Sequence, residues 1–201
     1  MQTKAPNPVN LVEGQNTLPI IKAYFEFNQL KQLYRQGWLR RNVSLERCET
    51  VAEHSFSMAI LTMLLADAYF PNLDLLTVMR MALVHDFGEV YAGDFTPLDP
   101  IAPAEKTRLE RESVVQVLGN LPQGEMYIAL WDEFETGDSV EAQFVRQIDK
   151  LEFVMQATVY QQQGLIDTNE MFERVQQALT LPELQEIFVG LAKTQAGEEE
   201  K

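Results

Sequence analysis

The sequence predicts an all-α fold in a single domain, and three observations support this prediction. Apolar residues recur at helical spacing along most of the 201-residue chain. No segment has the composition and alternation of a convincing strand. Neither a domain linker nor an internal repeat divides the chain, and its length suits one compact domain with a sizeable core.

The N-terminal quarter is predicted to hold one helix between two irregular segments. Residues 1–16 have the composition of a flexible arm. Residues 18–36 carry apolar side chains at helical spacing, and Gly37 is expected to end that helix. Residues 38–49 are polar and basic and are predicted to form a loop.

Two strongly apolar helices are predicted next. Thr50 and Glu53 have the spacing of a capping box, which marks the start of "TVAEHSFSMAILTMLLADAYF". This segment is expected to be the central and most buried helix, and Pro71 breaks it. The second helix is "LDLLTVMRMALVHDF".

The second half of the chain is predicted to contain four or five helices. Three prolines, Pro97, Pro100 and Pro103, mark a loop of about ten residues, a length that suggests a functional role. The helix "AEKTRLERESVVQVL" follows with an exposed charged face, and the longest helix is expected around "SVEAQFVRQIDKLEFVMQATVYQQQ". Helices end near residue 192, and residues 194–201 are expected to form a frayed acidic tail.

Composition excludes several classes of protein. A net charge of −14 argues against broad nucleic-acid binding, which needs a basic surface. No apolar run is long enough to cross a bilayer, and the N-terminus lacks the apolar core of a secretory signal. A single cysteine, Cys48, cannot form an intrachain disulfide. The sequence therefore predicts a cytoplasmic protein that binds neither membranes nor nucleic acid.

The only two histidines of the chain, His54 and His85, both fall inside apolar helices. One alternative is that they are core histidines held by hydrogen bonds. However, Asp86 follows His85 directly. Burying an ionised carboxylate without a partner costs on the order of several kcal/mol. One divalent cation would satisfy all three side chains, since Zn, Mn, Fe and Co accept imidazole and carboxylate ligands.

Helix geometry restricts how these side chains can meet. Adjacent helical residues diverge by about 100°, so His85 and Asp86 can share a cation only near a helix end or kink. Gly88 is expected to supply that irregularity. Glu89, four residues after His85, projects to the same side and is placed to serve a metal-bound water.

Asp149 is a candidate for the last protein ligand. It lies in "VRQIDKLEFV", near the edge of the apolar stripe of the longest predicted helix. Taken alone it is an ordinary solvated aspartate. Spacing does not distinguish it from Asp138 or Glu152.

The extended pattern resembles the HD-domain metal-dependent phosphohydrolase superfamily, which is all-α. The resemblance rests on "GWLRRNV", "ETVAEHS", "ALVHDFGEVYAGDFTP" and "IDKLEF", in that order, from Gly37 to about Phe153. It is closest to the small HD-domain 5′-deoxynucleotidases and the oxetanocin-phosphohydrolase-like proteins. It implies an HD domain over residues 17–193, a helical bundle with a buried metal site. The implied ligands of one divalent ion (Mn, Co, Fe, Mg or Zn) are His54, His85, Asp86 and Asp149.

The resemblance also implies roles in catalysis and substrate binding. Glu89 would assist catalysis, Asp94 would orient water and substrate, and Trp38 would shape the nucleoside pocket. Bacterial members carry arginine directly before this tryptophan. Here Gly37 stands there, as in eukaryotic-type relatives, and the nearest preceding arginine is Arg35.

The expected reaction is metal-dependent release of phosphate from (deoxy)nucleoside 5′-monophosphates, by a protein that the resemblance implies is a homodimer. Lys150, Arg41 and Arg35 are candidates to contact the substrate, with an ordinary surface or structural cation as the alternative for Lys150 and Arg41. Anchoring of the loop on the core is the alternative for Trp38. Three other functions stay open: a nucleotide-binding protein without turnover, an HD hydrolase of another phosphate ester, and a helical interaction domain without metal.

Overall fold

A computed structural model describes residues 1–196, and the predicted all-α class is confirmed. The described chain has no sheet; its extended contacts are two isolated antiparallel bridges, Thr3 with Leu33 and Tyr34 with Thr50. Among the same residues, no helix has the length and apolarity that crossing a membrane requires. The α-helices are α1 (Pro19–Phe27), α2 (Gln36–Leu39), α3 (Val51–Tyr69), α4 (Leu75–Val84), α5 (Glu89–Ala92), α6 (Pro103–Leu118), α7 (Gly124–Thr136), α8 (Val140–Gln162), α9 (Asn169–Ala178) and α10 (Pro182–Ala196).

The sequence predicted that α3 is the central helix, and the structure corrects this. Helix α8 lies at the centre of the bundle because α3, α4, α7, α9 and α10 all pack against it. Its inward residues Ile148, Leu151 and Val154 are completely buried, as are Met58 of α3 and Met81 of α4. This core holds α3, α4 and α8 in fixed relative positions. Those elements also carry or directly precede the histidines and the aspartates of the predicted metal site.

The capping box that begins α3 is confirmed. The side chain of Thr50 accepts from the Glu53 backbone N–H, and the Glu53 carboxylate accepts from the Thr50 N–H at 2.7 Å. These bonds satisfy two backbone groups that a helix start otherwise leaves unpaired. The predicted break after α3 is also observed, since the helix ends at Tyr69, ahead of Pro71.

The predicted helix over residues 18–36 is corrected. Helix α1 ends at Phe27, a 3₁₀ turn covers Asn28–Lys31, and the following residues are extended. The backbone there pairs with distant segments, because the Leu33 carbonyl accepts from Val51 N–H. Gly37 does not end a helix; it lies inside α2, which begins within what was predicted as the end of α1.

Both ends of the chain differ in detail from the sequence expectation. Residues 1–4 contact the bundle, since Lys4 N–H donates to the Gln32 carbonyl and Gln2 N–H to the Gln36 side chain. A 3₁₀ turn covers Pro8–Leu11. Helix α10 extends to Ala196, past the predicted start of the tail at residue 194. The rest of that predicted tail, 197–201, lies outside the described residues.

Candidate metal centre

Three separate elements carry the predicted ligands. His54 lies in the first turn of α3, just after the capping box. His85 and Asp86 begin a 3₁₀ turn, His85–Gly88, directly after α4. Asp149 lies in the middle of α8. The sequence expectation that the His–Asp pair needs a helix irregularity is confirmed by this turn.

Gly88 is required by packing at that turn and not by its backbone conformation. Its φ is −55°, which any residue adopts. A Cβ atom at this position would lie 2.6 Å from Cβ of Glu110 in α6. Glycine therefore allows α6 to pack directly against the turn that carries His85 and Asp86.

Hydrogen bonds fix the orientation of both imidazole rings. His85 Nδ1 lies 2.8 Å from the Ala82 carbonyl, which can only accept, so Nδ1 carries the proton. His54 Nδ1 lies 2.6 Å from a carboxylate oxygen of Glu152. In the neutral form of each ring, Nε2 is then the nitrogen with the free lone pair. Partners of this kind orient histidine ligands in metal sites.

The Nε2 atoms and the two aspartates converge. His54 Nε2 lies 3.2 Å from Asp149 Oδ1, and His85 Nε2 lies 3.1 Å from Asp86 Oδ2. Ligand atoms of His54, His85 and Asp149 all lie within 4.8 Å of one another. His54 Nε2, His85 Nε2 and Asp86 Oδ2 are buried and have no hydrogen bond of acceptable geometry.

This donor set fits a divalent cation. Buried polar atoms without partners are rare and require an explanation, and a cation would supply it for all three. Two imidazole nitrogens with carboxylate oxygens suit Mn, Co, Fe or Zn. We conclude that the cluster could hold a metal ion.

The buried guanidinium of Arg35 lies beside the cluster and faces three carboxylates. Its Nη1 atom is 3.6 Å from Asp86, 3.8 Å from Glu89 and 3.9 Å from Asp94. Burial lowers the pKa of Arg35, but four carboxylates outweigh this effect and raise the pKa well above its usual value; in order of size they are Asp94, Asp86, Glu89 and Asp149. Arg35 therefore stays charged and partly neutralises this acidic site.

Glu89 is placed as a carboxyl group that can hold a proton. It is buried, and its Oε2 atom has no hydrogen-bond partner. Burial and then the charges of Asp86 and Asp94 raise the pKa of Glu89 well above its ordinary value. Such a group suits acid–base chemistry near neutral pH.

Asp94 is held in place by the backbone of Gln36, a residue that sequence reasoning missed. The Gln36 N–H donates to Asp94 Oδ2. The Gln36 side chain is itself fixed, because Nε2 donates to the carbonyls of Tyr34 at 2.7 Å and Gln2 at 3.0 Å. The first residues of the chain thus support the position of Asp94. No sequence signal links positions 2, 36 and 94.

Trp38 is enclosed by aromatic side chains and is not among the residues that line the cavity described below. Its side chain is 1% exposed, stacks on Phe153 at 4.8 Å and meets Tyr160 edge-on at 5.2 Å. Its indole N–H donates to Glu49 at 2.7 Å. This geometry favours the alternative that Trp38 anchors its loop on the core.

The two other basic candidates bind backbone carbonyls. Arg41 Nη1 donates to the Gly37 carbonyl at 3.1 Å, and Lys150 Nζ donates to the Arg146 carbonyl at 3.1 Å. Lys150 follows Asp149 in sequence, but neither it nor Arg41 lines the cavity described next. Both contacts match the structural alternative for these cations.

A cavity of about 190 Å³ opens beside the cluster. Its lining includes predicted site residues and several others from α6 and α7 that sequence reasoning missed. An exposed charged face was predicted for this part of α6, yet Glu110 is 4% exposed. Its spacing from Ser113, Val114 and Val117 follows the buried side of α6, and this signal was available in the sequence. The additional lining residues are Lys106, Glu110, Trp131, Phe134 and Glu135.

Comparison with known proteins agrees with this geometry. The family model of the HD domain matches residues 27–187, most of the chain. The chain belongs to the HD domain family. The clustered histidines and aspartates are therefore found in an HD domain, as the sequence resemblance predicted.

Relatives of this HD domain include proteins named 5′-deoxynucleotidase HDDC2. The protein of that name from Bos taurus is 37% identical over 158 residues, which are 77% of this chain and 74% of the bovine protein. The one from Homo sapiens is 41% identical over 136 residues, 66% of this chain and 64% of the human protein. The crystal structure of PH0347 protein from Pyrococcus horikoshii OT3 superposes with a TM-score of 0.69 at 29% identity, over 88% of this chain and 98% of that one.

Proposed function

We propose that this HD domain is a metal-dependent phosphomonoesterase that releases phosphate from (deoxy)nucleoside 5′-monophosphates. The observation that carries the proposal is the convergence of three buried ligand atoms without hydrogen-bond partners, on His54, His85 and Asp86, beside a cavity. The relatives named 5′-deoxynucleotidase support the choice of substrate.

The proposed ligands of one divalent ion are His54, His85, Asp86 and Asp149. Such an ion polarises a phosphoryl group and lowers the pKa of a bound water. Mn, Co, Fe, Mg and Zn all accept parts of this donor set. The hydrogen bonds of the Nδ1 atoms to the Glu152 carboxylate and the Ala82 carbonyl hold the two rings with Nε2 toward the site.

Glu89 and Asp94 are the proposed catalytic residues. Glu89 exchanges a proton with the attacking water or the leaving 5′-oxygen, consistent with its burial and its raised pKa. Asp94, fixed by the Gln36 N–H, orients water or a sugar hydroxyl. Arg35 is proposed to offset the negative charge of Asp86, Glu89 and Asp94, which it faces, and its contact with the substrate stays a prediction of the sequence. Substrate contacts by Trp38, Arg41 and Lys150 remain predictions of the sequence.

The deciding experiment measures phosphate release from a panel of deoxy- and ribonucleoside 5′-monophosphates. Each substrate is tested with Mn, Co, Mg or Zn and again with excess chelator. The proposal expects release that requires a metal and a 5′-phosphate, and the ratio of deoxy to ribo rates reports sugar preference. Absence of release under every condition, from protein with a bound ion, would contradict the proposal and favour a binding protein or a hydrolase of another ester.

We also propose that the protein is a homodimer, on the basis of an apolar stripe on the outer side of α3. Phe56, Ile60 and Leu64 are four residues apart and are 67%, 39% and 55% exposed. Leu76 and Leu83 of the neighbouring α4 are also half exposed. Contiguous exposed apolar surface of this kind marks an interaction site, and a symmetric dimer would cover it.

Mass measurement in solution tests the dimer directly. Light scattering of the purified protein should give twice the chain mass of 23.0 kDa. The variant Phe56→Glu/Leu64→Glu should shift the mass to that of a monomer. A monomeric wild-type protein at micromolar concentration would contradict this part of the proposal.

A cytoplasmic location is proposed on the sequence features alone.

A further inference from the structure

The cavity beside the metal cluster has a charge imbalance. Five carboxylates line it, from Asp86, Glu89, Glu110, Glu135 and Asp149. Two cationic side chains oppose them. The ionised members of this set repel a phosphate dianion that enters the cavity, and a cationic hydrogen-bond donor on the cavity wall would offset that repulsion.

The first of the two cations, Arg35, already forms ion pairs with several carboxylates of the site. One of its nitrogens faces the carboxylates of Asp86, Glu89 and Asp94 at 3.6–3.9 Å. Its pKa is held high by these same carboxylates, so its positive charge is shared among acids that already surround it. Its charge therefore mainly offsets the acids around it.

The second cation, Lys106 of α6, is available. Its Nζ atom contacts both carboxylate oxygens of Glu110, at 2.7 and 2.9 Å. Among residues 1–196, Glu110 is the ion-pair partner of Lys106, whose side chain is 39% exposed. An ammonium has three donors on a flexible stem, so it can keep Glu110 and add an anionic partner.

Packing of α6 fixes the backbone of Lys106 relative to the metal cluster. Glu110 lies one helical turn after Lys106. A Cβ atom on Gly88 would lie 2.6 Å from the Cβ atom of Glu110, so α6 approaches Gly88 closely. Gly88 ends the turn that begins with His85 and Asp86. Helix α6 is therefore held against that turn, and Lys106 lines the same cavity as Asp86 and Glu89.

We propose that Lys106 is a substrate-binding residue whose ammonium group contacts the phosphate of the substrate, with Glu110 as its positioning residue. This inference rests on the function proposed above. It assigns to α6 a direct part in recognising the phosphate group. The sequence pattern had suggested only an exposed charged face for this helix.

The test is calorimetric binding of inorganic phosphate to the Mn-loaded protein, with a deoxynucleoside as a second probe. Lys106→Gln should weaken phosphate binding about tenfold or more, since hydrogen bonds to charged groups are among the stronger ones. Its affinity for the deoxynucleoside should not change. Lys106→Arg keeps the charge and should retain phosphate affinity close to that of the wild type.

Lys22→Gln is the matched control. Lys22 and Glu26 form an equivalent pair four residues apart in α1, with a buried glutamate and a lysine side chain that is 46% exposed. Lys22 does not line the cavity. If losing a lysine beside a buried glutamate acts only through stability, both variants will melt early and bind phosphate alike, which would overturn the inference.

The other outcomes are equally decisive. Unchanged phosphate affinity in Lys106→Gln, equal weakening of both probes, or no phosphate binding by the wild type would each overturn the assignment. Phosphate binding that depends on Lys106, in a protein that hydrolyses no nucleotide, would support the inference while the proposed reaction fails. If Lys106→Gln retains both hydrolysis and phosphate affinity, the proposed reaction holds and the role assigned to Lys106 is wrong.

Discussion

Glu89 and His85 occupy the same cluster, but their side chains have different environments. His85 Nε2 has no hydrogen-bond partner and faces Asp86, as expected for a ligand. Glu89 has one oxygen near Arg35 and a second without a partner. One group is therefore suited to binding an ion and the other to moving a proton.

We predict that Glu89→Gln retains the metal and loses turnover. Removing a general acid or base lowers kcat by about 10²–10⁴-fold. His85→Ala is the comparison, because it should lose metal and activity together. Metal content by elemental analysis and kcat from phosphate release measure the two effects. A near-normal kcat in Glu89→Gln would remove the proton-transfer role.

Glu49 gives a prediction about pH and stability. Burial and then the charge of Glu152 raise its pKa from 4.5 to about 6 in the folded protein. A carboxyl with a raised folded-state pKa destabilises the fold once it ionises, so its penalty grows as pH rises from 4.5 through 6. Above pH 6 the cost is on the order of 1–2 kcal/mol.

Glu49→Gln should therefore raise the melting temperature by a few degrees at pH 8, and the gain should shrink as the pH falls through 6 and disappear near pH 4, below both pKa values. The glutamine oxygen can still accept the Trp38 indole N–H. The control is Glu46→Gln, an exposed position three residues earlier, where no gain is expected. A gain of the same size at both pH values would show that the charge of Glu49 is not the cause.

Residue types alone predicted the histidines and Asp86, because imidazoles and a carboxylate in apolar helices need partners. The same reasoning could not predict the environment of Trp38. Its ring partners, Phe153 and Tyr160, lie more than a hundred positions away, and only the folded chain brings them together. The position of Lys106 at the cavity was not predicted for a different reason, since its charged neighbours in sequence suggested a solvated face.

At the scale of elements, the turn after α4 depends on the close approach of α6. Gly88→Ala should destabilise the protein by about 1–3 kcal/mol, the usual cost of overpacking, because its Cβ would meet Glu110 at 2.6 Å. Thermal unfolding measures this loss. Gly37→Ala is the control, since a Cβ there has no neighbour within 4 Å. Equal melting temperatures for both variants would contradict this explanation of Gly88.

Element boundaries were predictable where a local signal exists. The capping box fixed the start of α3, and the length of α8 followed from its apolar periodicity. The end of α1 at Phe27 was missed because no local signal opposes a helix through residue 36. Backbone pairing of Leu33 with Thr3 and Val51 extends the chain there. This departure leads the chain directly to Arg35, beside the cluster.

At the scale of the whole molecule, the proposed ligands connect α3, the turn after α4 and α8. An ion bound only by the folded state stabilises it, by about 2.7 kcal/mol at a concentration one hundred times its Kd. For a chain of this size, that corresponds to roughly 5–10 °C in melting temperature. Scanning calorimetry with Mn and with chelator should show this difference. His85→Ala should melt at the same temperature in both, and a wild-type protein indifferent to metal and chelator would argue against the site.

The hydrogen bond between Trp131 and the turn that carries His85 and Asp86 makes tryptophan fluorescence sensitive to the metal site. The indole N–H of Trp131 donates to the His85 carbonyl at 2.8 Å, and the ring lines the cavity. The chain has two tryptophans, and the other, Trp38, is enclosed between Phe153 and Tyr160. Replacing Trp38 by phenylalanine would leave Trp131 as the single tryptophan, which can be excited selectively over the tyrosines. Its intrinsic fluorescence would then follow occupancy of the site in real time, without a label.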